Sequence, residues 1–497
     1  MRKTKKLGIL VGVLAAACVV TLIAAKHEEK KEQIKESEDV VLTLDPDTVT
    51  ALSWTYTSED EEGNEVTGDL AFHKDESWLY DADEAFPTDD DKIASLIAPF
   101  EEFGVSFIIE DVEDYDQYGL TDPVCTISLT ADGTDYEIKL GAYSTLDEKR
   151  YVSIGDGNVY LVSDDPFTYY EVELKDLIKN DSIPYVYQAE SIEFSGSEDY
   201  TVEYDANSTH TCCASDLYFA DDKPLDTSKI SSYLSTLSYL GLSDYASYNV
   251  SDEELEAFGL AEPDLTATVN FEETDEDDEA VAMSYTFSIG LNQEEKAAAE
   301  EKAAEEEAEG TEETADSDSA YDSTEETEED EITAYLRVGD SQIVYIIPYA
   351  TYETLAAVSY DDLRHDEVVT ADFDDITRID VTLDGQAYAF VTEETEGDDE
   401  DEVVRTWYYE GEELDTAGLE SAINALTADS FTDEAADGEI EISLKLTLDN
   451  ENIQEIELTF CRYDGESCLV QENGETVSLV PRSQVVDLME AVNAIVL

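Results

Sequence analysis

The residues whose types could bind a metal are few and scattered. The four histidines are His27, His73, His210 and His365. No two of them have the i, i+3 or i, i+4 spacing that places a pair of ligands on one helical face. His210, Cys212 and Cys213 supply three ligands within four residues, but a zinc site there would need a fourth ligand or an open position in a cleft. We therefore interpret this segment as a polar loop and predict no metal site.

Motifs for nucleophilic, nucleotide and calcium chemistry do not occur in the sequence. It contains no Gly-x-Ser-x-Gly elbow, Walker loop or Gly-x-Gly-x-x-Gly turn, and no Asp-x-Asp-x-Asp-Gly loop with glutamate at its twelfth position. Paired carboxylates and the 30 tyrosines make a glycoside hydrolase the strongest enzymatic alternative. Nothing marks one carboxylate as buried with a raised pKa. The sequence predicts no catalytic residue, no cofactor and no enzymatic activity.

The charge balance restricts the partners of the chain. There are 26 Lys and Arg residues against 125 Asp and Glu, a formal net charge of −99. Nucleic acid binding needs clustered basic residues, and basic runs occur only at Arg2–Lys6 and Lys26–Lys35. Nucleic acid is therefore excluded. The charge either keeps the chain soluble in an exposed compartment or forms a surface that associates weakly with divalent cations or suits high salt.

An uncharged run at Leu7–Ala25 is long enough to cross a membrane. Its 19 residues span about 28 Å as a helix, close to the hydrocarbon thickness. Because the basic residues of Arg2–Lys6 precede it without an acid, we predict a cytoplasmic leader at 1–6, a transmembrane anchor at 7–25, a linker at 26–44 and a body outside the cytoplasm. The alternatives are a lipoprotein signal around Leu14–Cys18 and a cleaved signal peptide.

The cysteines leave the redox state of the chain open. Cys461 and Cys468 flank a turn centred on Asp464 and Gly465, which would place them opposite each other on two strands. A disulfide is one interpretation. A pair of buried thiols is the other, because a disulfide across a hydrogen-bonded strand pair is strained.

Two stretches about 140 residues apart follow the same order of signals. Each has an aromatic segment, an acidic helix cap and apolar residues spaced as one helical face. The caps are Asp89 and Asp226. The apolar faces are Ile93, Leu96, Ile97, Phe100 and Phe103 in the first copy, and Ile230, Leu234, Leu237 and Leu240 in the second.

An aromatic-Gly-Leu-x-acid-Pro element follows each helix, at Tyr118–Pro123 and Phe258–Pro263. We interpret its glycine as a permissive turn position, its leucine as a core residue and its proline as the end of the turn before a strand. The strands predicted after it are Cys125–Leu129, Tyr136–Gly141, Tyr151–Ser153 and Val159–Val162 in the first copy, and Leu265–Phe271, Tyr285–Gly290, Tyr335–Arg337 and Val344–Ile347 in the second.

An acidic segment interrupts the second copy between two of these strands. Asn292–Glu331 is nearly all Glu, Ala, Thr, Asp and Ser, whereas a short loop at 142–150 joins the same strands in the first copy. We interpret 292–331 as a disordered insertion whose Glu294–Glu309 portion is transiently helical.

A third, degenerate copy begins at Ile376 and lacks the Gly-Leu-x-x-Pro element. Its predicted elements are a helix with Leu419, Ile423 and Leu426, strands at Ile440–Leu448 and Ile456–Phe460, and a closing helix at Ser483–Val496. The predicted fold is α+β, with tandem repeated units that are each an antiparallel sheet covered by an amphipathic helix, preceded by one transmembrane helix. The units are predicted at 45–181, 186–370 and 372–497. Core positions are expected for Trp54, Trp78 and Trp407.

The order of these signals resembles the bacterial family known as domain of unknown function 4340 (DUF4340). The resemblance covers roughly residues 50–180 and, less well, 190–366. It is carried by Trp78, Tyr118, Gly119, Leu120, Pro123, Gly141, Tyr151 and Tyr160, and again by Phe258, Gly259, Leu260, Pro263, Gly290, Tyr335 and Tyr345. The resemblance implies an envelope protein with an N-terminal anchor, often encoded beside ABC exporters of the gliding-motility type, without established catalytic activity.

The sequence thus predicts a non-catalytic, membrane-anchored accessory or scaffold protein outside the cytoplasm. An ABC transporter permease or another envelope protein is the candidate partner. The alternative class is an extracytoplasmic protein that binds cations or glycans. A carboxylate-dependent glycoside hydrolase is the third.

Overall fold

The computed structural model describes residues 33–59, 64–162, 164–274, 279–310, 332–396 and 403–497. Within these ranges the fold is mixed α+β, with three antiparallel sheets and few helices, which confirms the predicted class. The chain divides into two compact units. The first contains the described residues up to Asp181 together with Ser243–Val250, and the second contains Ser182–Leu242 and the described residues from Ser251 to Leu497.

The predicted leader at 1–6 and anchor at 7–25 lie outside the described residues. Among the residues that are described, no helix is long and apolar enough to cross a membrane.

The first sheet belongs to the first unit and has ten strands in the described ranges. They are β1 (Gln33–Glu36), β2 (Val40–Leu42), β3 (Val49–Glu59), β4 (Glu65–Lys74), β5 (Trp78–Tyr80), β6 (Phe103–Glu110), β7 (Cys125–Ala131), β8 (Thr134–Ser144), β9 (Lys149–Ser153) and β10 (Val159–Val162). Their order is β1-β6-β10-β9-β8-β7-β3-β4-β5, with β2 also paired to β6. In β7, buried Cys125, Ile127 and Leu129 alternate with less buried residues, the period expected of a strand with one core face.

Helix α1 (Asp90–Ile97) covers part of this sheet, and a single turn of helix, α2 (Phe167–Tyr170), lies near the end of the first unit. The predicted cap is confirmed, because the Asp89 side chain accepts hydrogen bonds from the amides of Asp91 and Lys92. The predicted continuation to Phe103 is wrong. Pro99 has no amide hydrogen, so the α-helix gives way to a 3₁₀ turn at Ala98–Phe100, and Phe103 begins β6.

The tryptophan predictions are confirmed, since Trp54, Trp78 and Trp407 are all buried. The indole Nε1 of Trp54 donates to the carbonyl of Tyr170 at 3.1 Å, and the Tyr170 hydroxyl donates to the carbonyl of Leu96 at 2.6 Å. These bonds tie β3 to α2 and α1 through the core of the first unit.

Nine further strands and five helices are described between residues 191 and 363. The strands are β11 (Ser191–Gly196), β12 (Tyr200–Tyr204), β13 (Tyr218–Ala220), β14 (Lys223–Leu225), β15 (Tyr245–Ser247), β16 (Leu265–Thr274), β17 (Ala280–Leu291), β18 (Ala334–Val338) and β19 (Val344–Ile347). The helices are α3 (Thr227–Ser238), α4 (Asp252–Ala257), α5 (Gln293–Gly310), α6 (Tyr349–Ala356) and α7 (Tyr360–Leu363). The second sheet runs β14-β13-β12-β11-β16-β17-β18-β19.

Helix α3 packs on this second sheet as predicted. Asp226 caps it, and Ile230, Tyr233, Leu234 and Leu237 are buried along one face. The ring of Tyr233 meets that of Phe194 from β11 edge to face at 5.5 Å. Leu240, which was expected on the same helix, lies beyond its end at Ser238.

The segment Ser243–Val250, which includes β15, belongs to the first unit. The hydroxyl of Tyr248 donates to Asp83 Oδ2 at 2.8 Å, and its ring meets Phe86 edge to face at 5.2 Å. The chain therefore returns to the first unit after it has already built part of the second.

Helix α5 begins the acidic insertion and includes the Glu294–Glu309 portion that was expected to be helical. Its first turn is attached to neighbouring backbone and side chains. Glu295 Oε2 accepts from the amide of Thr333 at 2.6 Å, and Lys296 forms an ion pair with Asp264 at 3.3 Å. Residues 311–331 lie outside the described ranges.

The third sheet forms the C-terminal part of the second unit, with nine strands in its described residues. They are β20 (Ile376–Leu383), β21 (Gln386–Glu396), β22 (Val403–Tyr409), β23 (Glu412–Glu413), β24 (Ser430–Phe431), β25 (Ile440–Leu448), β26 (Glu455–Arg462), β27 (Ser467–Glu472) and β28 (Glu475–Pro481). Their order is β23-β22-β21-β20-β25-β26-β27-β28-β24. Helices α8 (Ala417–Asn424) and α9 (Arg482–Val496) pack on it, and α9 buries Val485, Leu488 and Val492 in the same core as β25.

Both aromatic-Gly-Leu elements fold as interpreted from the sequence. Gly119 and Gly259 have φ of 67° and 69°, in the left-handed region that glycine adopts at low cost. Leu120 and Leu260 are buried. A glycine in the second strand after each turn, Gly141 in β8 or Gly290 in β17, packs so closely against the turn that a Cβ on it would lie 2.2 Å from the Tyr118 carbonyl oxygen or 2.5 Å from that of Gly259.

Cys461 and Cys468 are free thiols and do not lie opposite each other. Cys461 is paired with Leu469, and Arg462 is paired with Cys468. Because side chains alternate between the two faces of a strand, this one-residue offset places the two thiols on opposite faces of the sheet. The strand register therefore keeps the two thiols apart. The buried-thiol interpretation is confirmed, and the disulfide interpretation is wrong.

Candidate functional site

A cleft of about 720 Å³ lies within the second unit. One wall is the loop at 206–216, between β12 and β13. The other wall comes from the segment at 370–375 before β20 and from Asn450 and Asn452, which follow β25. The groups that face the cleft are mainly amides, hydroxyls and carboxylates, with Phe373 as an aromatic contribution. Such a lining suits a polar ligand.

Asparagine side chains hold the loop wall in position. Asn450 Nδ2 donates to the carbonyl of Cys212 at 3.1 Å, and Asn452 Nδ2 donates to the carbonyl of Thr211 at 3.1 Å. The Cys212 side chain is buried in the core of the third sheet beside Ala371 and Phe373. The wall is thus fixed by contacts between segments about 240 residues apart in sequence.

A buried polar chain continues from the cleft wall towards His365. Thr211 Oγ1 donates to Asp216 Oδ2 at 2.6 Å, and Asp216 Oδ1 is 2.8 Å from His365 Nε2. The Asp216 side chain is 1% exposed and that of His365 is 16% exposed. Taking a carboxylate this far out of water is costly unless it is paired, so the imidazole and the hydroxyl together determine where Asp216 lies.

Opposing effects act on the protonation of His365. Burial alone would lower its pKa, but the hydrogen bond to Asp216 and the charges of Asp216, Asp226 and Glu367 outweigh burial, so its pKa lies above the usual histidine value. For Asp226, burial alone would raise the pKa. The hydrogen bonds from Ser228 and the charge of His365 outweigh it, and the pKa of Asp226 lies below the usual value.

Asp226, His365 and Glu367 come together at this point. One nitrogen or oxygen atom from each lies within 4.8 Å of those from the other two, and His365 Nδ1 is 3.7 Å from Glu367 Oε2. Asp226 is positioned as the cap of α3, where its Oδ1 accepts from the amide of Ser228 at 2.8 Å. His365 and Glu367 follow α7, and the backbone of Glu367 is fixed by a β-bridge to Thr427. Their ligand types suit a divalent transition-metal ion.

The soft ligands identified in the sequence do not converge on one point. His210 lies 3.5 Å from Asp222, the Cys213 thiol is 3.0 Å from Ser215 Oγ, and Cys212 is buried beside Thr370. Burial raises the pKa of the Cys212 thiol, so it is a poor thiolate donor. Residues 210–213 were interpreted as a polar loop, and the contribution of this loop to a cleft was not predicted.

Sequence reasoning missed His365 and its neighbours. His365-Asp366-Glu367 was a local signal, because one imidazole and two carboxylates occur within three residues. Asp226 was recognised only as a helix cap, and the acidic composition hid Asp216 among the other carboxylates. No helical ligand spacing connects these residues, since the fold brings them together from α3, the β12–β13 loop and the segment after α7.

Comparison with known proteins identifies one family. The model of the family described as a domain of unknown function (DUF4340) matches residues 78–249, from β5 to just beyond β15. The match includes α1, α3, the first aromatic-Gly-Leu element and the loop at 206–216. No curated protein and no solved structure matches the chain.

Proposed function

We propose that the chain, whose residues 78–249 match the DUF4340 family model, is a non-catalytic accessory or scaffold protein, anchored by 7–25, with its body outside the cytoplasm. An ABC-type exporter or another envelope protein is the proposed partner. The observation that carries this proposal is the uncharged run Leu7–Ala25 behind a purely basic leader. Such a leader stays on the cytoplasmic side of the membrane.

The arrangement of strands supports a tandem-repeat scaffold. Seven strands run β5-β4-β3-β7-β8-β9-β10 in the first sheet, β13-β12-β11-β16-β17-β18-β19 in the second and β22-β21-β20-β25-β26-β27-β28 in the third. In each of these three sets, the strand that comes first in the chain is third in the order, with two strands on one side and four on the other. We propose that the three sheets are repeats of one unit, with boundaries near 45–181, 186–370 and 372–497.

A matching aromatic contact supports the same proposal. Tyr118 of the first turn lies 4.9 Å from Tyr151, measured between ring centroids, and Phe258 of the second turn lies 4.4 Å from Tyr335. Each pair joins an aromatic-Gly-Leu turn to the third strand that follows it, β9 or β18. The third sheet lacks this element, as expected for a degenerate copy.

The cleft favours a second candidate function, in which the body binds a polar ligand such as a glycan. The amide of Asn424, the hydroxyls of Ser208 and Thr370 and the ring of Phe373 line the cleft with the donors, acceptors and apolar face that sugars require. A glycoside hydrolase is the less favoured form of this alternative. Isothermal titration with cell-wall oligosaccharides, followed by chromatography of the same samples, would separate binding from cleavage.

Protease accessibility tests the main proposal. Protease added to intact protoplasts should digest the body, while a cytoplasmic control protein stays whole. A variant in which Arg2, Lys3, Lys5 and Lys6 are all changed to Glu should lose this uniform orientation. Protection of the body, with digestion of a known surface protein, would contradict the orientation, and release of the chain without detergent would contradict the anchor.

Cross-linking tests the proposed partner. Chemical cross-linking of membranes before detergent extraction, followed by mass spectrometry of material captured through a tag at Leu497, should recover peptides of an ABC permease. Recovery from cells in which 7–25 is replaced by an unrelated transmembrane segment of the same length would place the contact outside the membrane segment. If only unrelated abundant envelope proteins are recovered in both cases, the exporter association is wrong.

A further inference from the structure

We propose that Asp226, His365 and Glu367 bind one divalent transition-metal ion, of which Zn²⁺ is the representative. This proposal goes beyond the proposed function and is independent of the anchor and of any partner. The three ligand atoms lie within 4.8 Å of one another. Ion-to-ligand distances of about 2.0–2.2 Å then require only small side-chain rotations, and Glu367, which is more than half exposed, is free to make them.

The orientation of His365 supports ligation through Nδ1. Its Nε2 lies 2.8 Å from the buried carboxylate of Asp216, and the opposite ring nitrogen faces Glu367 at 3.7 Å. When Nε2–H donates to Asp216, the lone pair of neutral imidazole is on Nδ1. A carboxylate that holds the non-ligating nitrogen of a histidine is a common feature of metal sites, because it fixes the tautomer and raises the basicity of the ligand. Asp216 is therefore a positioning residue.

The capping role of Asp226 leaves it suited to a second contact. Its cap bonds to Ser228 use Oδ1, at 2.8 Å from the amide and 2.6 Å from the hydroxyl. The position of the carboxylate is thus fixed by α3 before any ion binds, so little ordering entropy is lost on binding. Two other neighbours, Lys229 and Asp366, are paired with each other at 3.0 Å.

The donor set selects among ions. One imidazole and two carboxylates leave at least one position for water, which fits Zn²⁺ and related transition ions. Ca²⁺ and Mg²⁺ prefer oxygen ligands only. The many surface carboxylates will also attract divalent ions weakly, so specificity for this site must be measured against a large excess of Ca²⁺.

The experiment is equilibrium dialysis of the detergent-solubilised full chain against Zn²⁺ in excess Ca²⁺, with bound zinc quantified by mass spectrometry. One ion per chain is expected, and Glu367→Gln and Asp226→Asn should each weaken its affinity about tenfold or more. Asparagine is a good helix cap, so the second variant keeps α3. His210→Ala is the matched control, because it removes an exposed histidine that also lies beside an aspartate, and it should change nothing.

A spectroscopic measurement keeps the proposal falsifiable if a variant folds poorly. Co²⁺ should give visible ligand-field bands in the wild-type chain, and Asp216→Asn, which alters only the positioning residue, should shift these bands and weaken binding about tenfold. Equal zinc binding by wild type and His365→Ala, or an equal loss in His210→Ala, would overturn the proposal. The cluster would then be an imidazolium held by three carboxylates, and the protease test of topology would be unaffected.

Discussion

Gly141 allows strand β8 to pack closely against the first aromatic-Gly-Leu turn. A methyl group on Gly141 would lie 2.2 Å from the carbonyl oxygen of Tyr118, and backbone cannot move aside as a flexible side chain can. We expect Gly141→Ala to lower the free energy of unfolding by roughly 2 kcal/mol or more, in the range of overpacked cores. Urea titration measures the change.

Gly418→Ala is the control for this substitution. Its Cβ would meet nothing within 4 Å, and Gly418 lies in α8. Alanine is favoured over glycine inside a helix, so this variant should be unchanged or up to about 1 kcal/mol more stable. A similar loss of stability in both variants would mean that close packing at Gly141 is not the cause.

The leucines of the two aromatic-Gly-Leu turns act as core residues. Leu120 and Leu260 are buried, so Leu120→Ala and Leu260→Ala should each destabilise the chain by roughly 2–5 kcal/mol. Leu146→Ala is the matched control, because Leu146 is 90% exposed and should cost little. Unchanged denaturation midpoints at 120 and 260, with reduced capture of a membrane partner, would instead identify a binding surface.

The carboxyl of Glu472 gives a pH dependence with a definite sign. Burial raises its pKa above the usual 4.5, although the nearby Arg364 guanidinium opposes this. A raised carboxyl pKa contributes stability that is present below the unfolded value and is lost as pH rises through the folded value. Glu472→Gln should therefore match the wild type in acid and exceed it at neutral pH, as measured by guanidinium midpoints.

The stability of the wild type is subtracted from that of the variant at each pH, which removes the general effect of pH on so acidic a chain. Glu490→Gln, at an exposed position of α9, provides the baseline for the loss of one carboxylate. If Glu472→Gln is less stable than the wild type at neutral pH, the attraction between the Glu472 carboxylate and Arg364 outweighs the cost of burying that carboxylate.

At the scale of elements, local sequence patterns were sufficient to predict where helices begin and where strands with a clear apolar pattern lie. Asp89 and Asp226 cap their helices, and Val159–Val162 is a strand with the predicted bounds. Strand β6 could not be found in this way. It is defined by pairing with β1 and β10, and its first residue continued the apolar pattern of α1. Pro99 was the available sign that the helix had ended.

The cleft was beyond sequence reasoning for a related reason. Its walls are held by Asn450 and Asn452 on the backbone of the loop at 206–216, and nothing local in either segment indicates the other. The same holds for Asp216 and His365, which are joined by one hydrogen bond across 149 positions. With 125 acidic residues, no single aspartate stood out from the composition.

Helix α5 allows the insertion to be divided into an attached base and a removable remainder. Glu295 and Lys296 in its first turn contact Thr333 and Asp264, whereas later turns carry mainly alanine and glutamate. Deletion of 300–331 should shift the melting temperature by only a few degrees, because loop length affects stability logarithmically, by about 0.6 kcal/mol per doubling.

Deletion of 292–331 tests the base separately. It also removes the contacts of Glu295 and Lys296, so it should lower the melting temperature further than deletion of 300–331. Calorimetry of both variants compares them. Loss of a cooperative transition in the shorter deletion would mean that the distal part of the segment belongs to the fold rather than being an insertion.

For the whole molecule, the net charge of −99 is the dominant long-range term. Mutual repulsion of like charges opposes a compact state, and salt screens it within a Debye length of about 10 Å at 0.1 M. We therefore expect the melting temperature to rise with NaCl. Sucrose at matched osmolality is the control, and a melting temperature that falls with NaCl would mean that attractive ion pairs such as Arg150–Asp165 dominate.

Because Ser243–Val250 belongs to the first unit, that unit can be completed only after part of the second unit has been synthesised. Tyr248 supplies a hydrogen bond to Asp83 and a ring contact to Phe86, yet it is synthesised after β11–β14 and α3. A chain that emerges from its N-terminus cannot complete the first unit when Asp181 appears, and at about 5–20 residues per second the missing contacts arrive seconds later. A chaperone at the exit site would therefore meet an unfinished first unit throughout that interval.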